Sequence, residues 1–191
     1  MGNMTYILMT LLAAGIVVAD QLSKAWVVHN IGPYMCANAS LCAEHLHSLE
    51  GAFGIGIQEM TLLPKAVPGI EGVFNLLHVH NTGAAFSSFQ GAQWLFALVF
   101  ALFTAAVIYE FITRKMGFSN LERWLIVIIY GGAVGNMIDR LRLGFVVDMI
   151  HLDFMSFPVF NVADCFITCG CIAFIISLLF FHKDFWKEEK K

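Results

Sequence analysis

Charge is what this sequence has least of. Only 13 % of its 191 residues are Asp, Glu, Lys or Arg, against about 25 % in an ordinary soluble domain. Apolar residues reach 59 %, where about 45–50 % is usual. Mean hydropathy is +0.74. A chain of this size folded in water still exposes a large surface, so one small core cannot hide that excess. The shortage of charge excludes a soluble enzyme, a disordered chain and a secreted disulfide scaffold. It leaves an integral membrane protein, of a length that suits one domain. The net charge of −3 decides nothing, because in a bilayer the placement of charge outweighs its sum. The start of the chain also lacks the basic stretch of a cleaved signal peptide. Asp20 and Lys24 stand where a small-residue cleavage site would be, so the first apolar run is expected to be a retained helix.

Apolar runs long enough to cross about 30 Å of hydrocarbon predict an all-α fold of four transmembrane helices. They cover roughly 6–28, 92–112, 121–139 and 164–182, with extracytoplasmic loops 29–91 and 140–163. The third run, Trp124 to Ile138, is short and must borrow Leu121 or Asp139 at its ends. Lys and Arg sort by side. Arg114, Lys115, Arg123 and the tail lysines Lys183, Lys187, Lys190 and Lys191 fall together, while Lys65, Arg140 and Arg142 fall opposite. The positive-inside rule then puts both termini in the cytoplasm. Trp26, Trp124 and Trp186 lie near span ends, as interfacial anchors do.

That topology gathers the acids. Asp20 sits about 21 Å along the first helix from Tyr6, at 1.5 Å per residue, in the outer half. Asp139 ends the third span, Asp164 opens the fourth, and Asp148 lies in the loop between them. An ionisable group at membrane depth is a functional hypothesis by default. Asp20 and Lys24, spaced i,i+4, can satisfy each other. Asp139 has Arg140 beside it for neutralisation, which favours a structural or orienting role. Asp148 and Asp164 have no cation near them in sequence. Asp164 is also placed to serve as the N-cap of the fourth span. Two such carboxyls at one depth can share a proton, with one pKa raised and the other held low. Aspartic proteolysis needs that arrangement: one carboxylate takes a proton from water while the other, protonated, polarises the scissile carbonyl.

Five blocks occur in order: Asp20-Gln-Leu-Ser-Lys24, Asn81-Thr-Gly-Ala-Ala-Phe86-Ser, Gly131-Gly-Ala-Val-Gly-Asn136-Met-Ile-Asp139-Arg140, Gly144-Phe-Val-Val-Asp148 and Phe160-Asn161-Val-Ala-Asp164. With these blocks the chain resembles the bacterial lipoprotein signal peptidase (signal peptidase II) family along nearly its whole length. The resemblance implies a four-helix aspartic endopeptidase of the bacterial inner membrane with its active site facing outward. It implies a small β-structured cradle outside the membrane. It implies cleavage of diacylglyceryl-modified prolipoproteins on the N-terminal side of the lipidated cysteine, and inhibition by globomycin-type cyclic peptides. It maps the catalytic pair to Asp148 and Asp164, and supporting positions to Asp20, Lys24, Asn81, Asn136, Asp139, Arg140 and Asn161.

Roles can be expected residue by residue. Asn81 and Asn161 can donate amide N–H groups to substrate or to a developing oxyanion, or cap turns. Asn136 is expected to orient Asp139 and Arg140 or to bond between helices. Arg140 suits either steadying Asp139 or contacting a lipid phosphate. Gly131 and Gly135 form a small-xxx-small pair for close helix approach, and Gly83 suits a turn or close approach to substrate. Residues 75–89 and 145–154 read as strand material for the cradle. His78, His80 and His151 do not complete a zinc pattern, so no metal and no organic cofactor are expected; water and two carboxyls suffice. No nucleic-acid partner is expected, and membrane lipid and a monomeric state are.

The segment 31–71 carries none of the blocks and reads as an insertion. Leu41 to Leu49 suits a short amphipathic helix, Gly51 to Ile57 a membrane-lying stretch, and Cys36 with Cys42 an optional disulfide. Asn38-Ala-Ser40 matches a glycosylation acceptor without meaning in a bacterial chain. Cys165, Cys169 and Cys171 read as core packing, with no constellation for a thiol protease. The competing reading is a proton-coupled transporter or channel using the outer aspartates. Four spans without a repeat, with all acids at one face, fit that poorly. The Gly-x-Gly-Asp signature of presenilin-type proteases is absent.

Overall fold

The computed structural model describes residues 2–31, 67–82 and 93–181. In chain order the elements are helix α1 (Asn3–Asn30), strands β1 (Val67–Ile70) and β2 (Phe74–Asn81), helices α2 (Gln93–Thr113) and α3 (Asn120–Leu143), strand β3 (Val146–Leu152) and helix α4 (Val162–Phe180). All four helices are long and apolar enough to cross a membrane. Expectations on Gly83, on Cys36 and Cys42, and on the segments 41–49 and 51–57 lie outside the described residues.

The polarity of the bundle is inverted relative to a soluble protein. Exposed faces carry Met4, Ile7, Leu11, Val18 and Leu22 on α1 and Trp94, Leu98, Leu102 and Ile112 on α2. Asp20, Lys24, Glu110, Glu122, Arg123 and Asp139 are buried. Lipid is the solvent that makes this arrangement favourable: apolar surface costs nothing against acyl chains, and charge must find partners inside. Helix α3 is central. Half of its most apolar stretch is buried, against 17 % for α1 and for α4 and 6 % for α2.

Helix α3 is longer than its apolar run, and local chemistry explains why. At its start Ser119 and Glu122 form a capping box: the Ser119 hydroxyl accepts from the Glu122 N–H at 3.3 Å, and the Glu122 carboxylate accepts from the Ser119 N–H at 2.6 Å. At its end Gly144 adopts a left-handed φ of 78° and closes the last turn on the Arg140 carbonyl. Asp139 and Arg140 are therefore inside the helix and do not end it.

Three glycines bring the helices together. A Cβ at Gly131 would press on Ile16 of α1 at 3.2 Å, and one at Gly135 would strike the Asp20 carboxylate at 2.5 Å. A Cβ at Gly132 would strike the Ala163 carbonyl oxygen of α4 at 2.6 Å. The small-xxx-small pair thus faces α1, and the glycine between its members faces α4.

The strands form one antiparallel sheet in the order β1-β2-β3. Its inner side packs Phe145, Val147 and Met149 on Val27, Val28 and Ile31 at the end of α1 and on Leu143 of α3. Strand β2 covers Phe74–Asn81, and residues 83–89 of the stretch expected as strand material lie outside the described residues. Between β2 and β3 the register slips: Leu76 pairs Ile150, but Val79 pairs Asp148. Such irregularities re-aim side chains and are common beside active sites. Phe160, just ahead of α4, folds back onto β3, donating to the Ile150 carbonyl at 3.1 Å and accepting from the Ile150 N–H at 2.7 Å. That clasp brings the start of α4 beside Asp148.

Candidate active site

Asp148 enters from β3 and Asp164 from the first turn of α4. Asn161 is the N-cap of α4, and its side chain accepts from the Asp164 N–H at 3.0 Å. Asp164 is three positions further in, and its carboxylate accepts from the Asn161 N–H at 3.1 Å. The expected N-cap role thus belongs to Asn161, and the reciprocal box fixes the Asp164 side chain at the positive end of a helix dipole.

Three asparagines tie the two aspartates into one network. Asn81 donates to Asp148 Oδ2 at 2.8 Å, and Asn161 donates to Asp148 Oδ1 at 2.6 Å. Asn136 donates to Asp164 Oδ1 at 2.7 Å and accepts from Asn161 at 3.0 Å. The amides of Asn81 and Asn161, expected to donate to substrate or oxyanion or to cap turns, both hold the Asp148 carboxyl, and Asn161 is also the cap of α4. Asn136 bonds across helices to Lys24 and Asp164, as one of its expected roles has it, and its backbone carbonyl accepts from Arg140 at 3.4 Å.

Burial pushes the Asp148 carboxyl up to about 7, and the negative charge of Asp164 adds to the rise; the Asn81 and Asn161 amides and Lys24 pull the other way. Near neutrality Asp148 is therefore poised between its protonated and ionised forms. Asp148 is 2 % exposed, yet it lines a cleft of about 610 Å³ together with Asp164. Asn81, Asn136, Arg140 and Thr168 supply the rest of the polar lining; the other walls, from Val79, Val146, Leu152 and the 157–160 segment, are apolar, and Cys165 and Cys169, expected as core packing, line the cleft beside them.

Behind the pair lies a buried ionic cluster. Lys24 Nζ bridges Asp20 Oδ2 at 2.8 Å and Asp139 Oδ2 at 2.9 Å, and donates to Asn136 Oδ1 at 3.0 Å. The pairing of Asp20 with Lys24 is as their spacing predicts. Asp139 forms its ion pair with Lys24, and the charge of the neighbouring Arg140, expected to neutralise it, acts on it as well. Adjacent helix residues point about 100° apart, so Asp139 turns to α1 while Arg140 lies with its guanidinium 4.4 Å over the Phe96 ring. The Arg140 charge is felt by Asp164 and Asp148 as well as by Asp139. The two aspartates without a cation nearby in sequence are thus given one by the fold.

Sequence reasoning missed Gln21, which donates to Asp139 Oδ1 at 2.9 Å, to Asp20 Oδ2 at 3.2 Å and to the Gly135 carbonyl at 3.2 Å. Its place inside the first sequence block was the available signal. His78 and His80 satisfy each other. His78 bonds the Ile31 carbonyl through Nδ1 at 2.9 Å and meets His80 Nε2 at 3.1 Å, and His80 stacks on Phe145 at 4.0 Å. Burial lowers the His78 imidazole to about 4, although its bond to Ile31 opposes that shift. His151 stands apart, 3.4 Å from Asp153. A second buried pair at the far end of the bundle was also missed: Arg123 holds Glu110 Oε1 through Nε at 3.0 Å and Nη2 at 2.9 Å.

Comparison with known proteins gives a consistent set of relatives. Residues 12–180 match the family model described as Signal peptidase (SPase) II. The lipoprotein signal peptidase of Streptococcus pyogenes serotype M2 (strain MGAS10270) is 36 % identical over 177 residues, 91 % of this chain and 90 % of that protein. The lipoprotein signal peptidase of Streptococcus agalactiae serotype III (strain NEM316) is 34 % identical over 189 residues, 97 % of this chain and 96 % of its own. Among solved structures, a bacterial membrane enzyme determined by the in meso method at 2.3 Å resolution aligns with a TM-score of 0.67 at 27 % identity, covering 96 % of this chain and 93 % of that one. A second, at 1.9 Å resolution, aligns with a TM-score of 0.62 at 26 % identity, covering 91 % and 93 %.

Proposed function

We infer the chemistry from a premise now in hand: this chain belongs to the signal peptidase II family. It is a membrane protease of the aspartic type that removes signal peptides from lipoproteins. Its catalytic pair is Asp148 and Asp164. The observation that carries this assignment is their convergence, from β3 and α4, on one cleft through a shared set of asparagine bonds. Asp148, raised to about 7, is the member that holds the proton and polarises the scissile carbonyl. Asp164 takes a proton from water, whose oxygen adds to the carbonyl carbon. The carbon–nitrogen bond then breaks as a proton passes from the pair to the leaving amine. Two interacting carboxyls titrate as a unit, so the pH profile reports the pair and not either residue alone.

The substrate is read as a prolipoprotein carrying a diacylglyceryl group on the cysteine after the cut. The apolar walls of the cleft support that reading, as does the family resemblance. A globomycin-type cyclic peptide is expected to occupy the same cleft. The enzyme sits in the bacterial inner membrane with the cleft facing outward. Supporting this, Arg114 at the end of α2 bonds the Tyr6 hydroxyl near the start of α1, and Ser177 near the end of α4 donates to Glu122 near the start of α3. The cation-rich α2–α3 loop and the bounds of α1 and α4 nearest the termini therefore lie at the end opposite the aspartates, which is the cytoplasmic end by the positive-inside rule.

Purified Asp148→Asn and Asp164→Asn should insert normally and leave lipidated prolipoprotein uncut in detergent micelles. Turnover at the wild-type rate in both variants would remove the assignment. Unlipidated prolipoprotein should be cut poorly; equal turnover of the two substrates would remove the lipid recognition.

A further inference from the structure

We propose that Asp20, Gln21, Lys24 and Asp139 form a spacer that sets the separation of the two catalytic carboxyls by gripping the backbone one residue ahead of each. Asp20 Oδ1 accepts the Ala163 N–H at 3.0 Å, and Ala163 immediately precedes Asp164. Asp139 Oδ2 accepts the Val147 N–H at 3.1 Å, and Val147 immediately precedes Asp148. The two gripping carboxylates are held to each other by Lys24, at 2.8 and 2.9 Å, and by Gln21, at 3.2 and 2.9 Å. A continuous chain of polar contacts therefore runs from the Ala163 N–H, just ahead of Asp164, to the Val147 N–H, just ahead of Asp148, through helices α1 and α3.

Stability alone does not account for this cluster. Desolvating three charges costs several kcal/mol per ion, and a buried pair replaced by apolar groups of the same shape is often no less stable. What apolar groups cannot do is accept the Ala163 and Val147 N–H groups at a fixed spacing. Asp20 and Lys24 are 0 % exposed and Asp139 is 1 % exposed, so water does not compete for those bonds, and the geometry is stiff. The cluster touches neither catalytic carboxyl through Asp20, Gln21 or Asp139, which makes these positioning residues. The inference rests on the assignment of Asp148 and Asp164 as the catalytic pair.

The test is Gln21→Met, which removes one clamp between the gripping carboxylates without changing charge, with Asp139→Asn as a second variant. Both are assayed with lipidated prolipoprotein, with kcat normalised to folded enzyme by titration with a tight-binding inhibitor of the cleft. The expected result is a fall in kcat of about 10- to 100-fold, the scale set by misplacing reacting groups by about 1 Å, with KM held within about twofold. The basic limb of the kcat–pH profile should also move to lower pH, because carboxyls held less closely repel each other less. An unchanged kcat and pH profile per folded molecule overturns the proposal. So does a raised KM at unchanged kcat, which would place the cluster in substrate binding. Asp148→Asn run in parallel separates the two claims: activity retained there removes the catalytic assignment itself, whatever Gln21→Met does.

Discussion

Gly132→Ala adds a single methyl group at the crossing of α3 and α4, and its effect can be worked through from the structure. The new Cβ would stand 2.6 Å from the Ala163 carbonyl oxygen, about 0.8 Å inside the 3.4 Å at which ordinary contact begins. It would also lie 2.8 Å from Ile167 Cγ1. The isoleucine methylene can rotate aside, but the carbonyl is backbone in the first turn of α4, so the start of that helix must move. Asp164 is the next residue and moves with it, while Asp148 stays clasped in the sheet. A displacement approaching 1 Å between reacting groups costs on the order of 100-fold in rate. Stability should fall by at most about 2 kcal/mol, because overpacking costs about 1–3 kcal/mol and the helix propensity gained on replacing glycine returns about 1 kcal/mol. The assay is single-turnover cleavage of lipidated prolipoprotein in micelles, read beside a thermal melt of the same preparation. Gly131→Ala is the control: its Cβ meets Ile16 at 3.2 Å and the Ala13 carbonyl oxygen at 3.3 Å, milder contacts that fall on α1 and not on α4. If Gly132→Ala cleaves at the wild-type rate, the α3–α4 crossing does not position Asp164.

Other outcomes follow from the same geometry. Activity should fall as pH rises through about 7, where Asp148 loses its proton, and a kcat–pH profile flat from 6 to 9 contradicts the role given to it. Because folding raises that pKa above its ordinary value of 3.8, the associated stability is fully present below 3.8 and is lost as pH rises through about 7. Asp148→Asn should therefore gain melting temperature over the wild type at pH 8.5 more than at pH 5. Asn81→Ala deletes an amide that favours ionised Asp148, so the basic limb of its kcat–pH profile should move to higher pH. Arg123→Met strands buried Glu110 and should cost about 3–5 kcal/mol of stability, with most of it recovered in the Glu110→Met, Arg123→Met double variant. A single variant that melts like the wild type would show that pair to be idle.

The spans were legible because a lipid-facing surface has to be apolar for about 20 residues at a time, and α1, α2 and α4 keep that rule. Helix α3 obeys it least. Half of its most apolar stretch is buried against protein, so glycines and Asn136 replace part of its apolar surface, and its ends depend on Ser119 and Gly144 rather than on hydropathy. The gathering of acids at one end was legible from span order alone. Their pairing was legible for Asp20 with Lys24, at i,i+4, and not for the rest. Asp139 and Arg140 are neighbours in sequence and diverge in space, while Asp139 and Lys24 meet from different helices. The contacts of Asn81, Asn136 and Asn161 were equally hidden, because an amide can donate or accept and its partners here come from other elements. Strand β1, Val-Pro-Gly-Ile, carries no alternation to read, and β2 supplies its only reason to be extended. Arg123 marked a span boundary in the sequence, and nothing local announced that Glu110, across a loop, would bury its charge.

The bonds around the cleft have one further property, which concerns time. Those linking Asp20 to Ala163, Gln21 to Asp139 and Lys24 to Asn136 join residues 143, 118 and 112 positions apart. Chains are made from the N-terminus and fold behind the ribosome, so the first helix waits in the bilayer for partners not yet synthesised. Until α4 arrives, Asp20 has no Ala163 N–H, Asn136 has no Asp164, and Asp148 stands without Asn161. The polar network around the two aspartates is therefore completed last, when α4 docks and supplies the Ala163 N–H, Asn161 and Asp164 together.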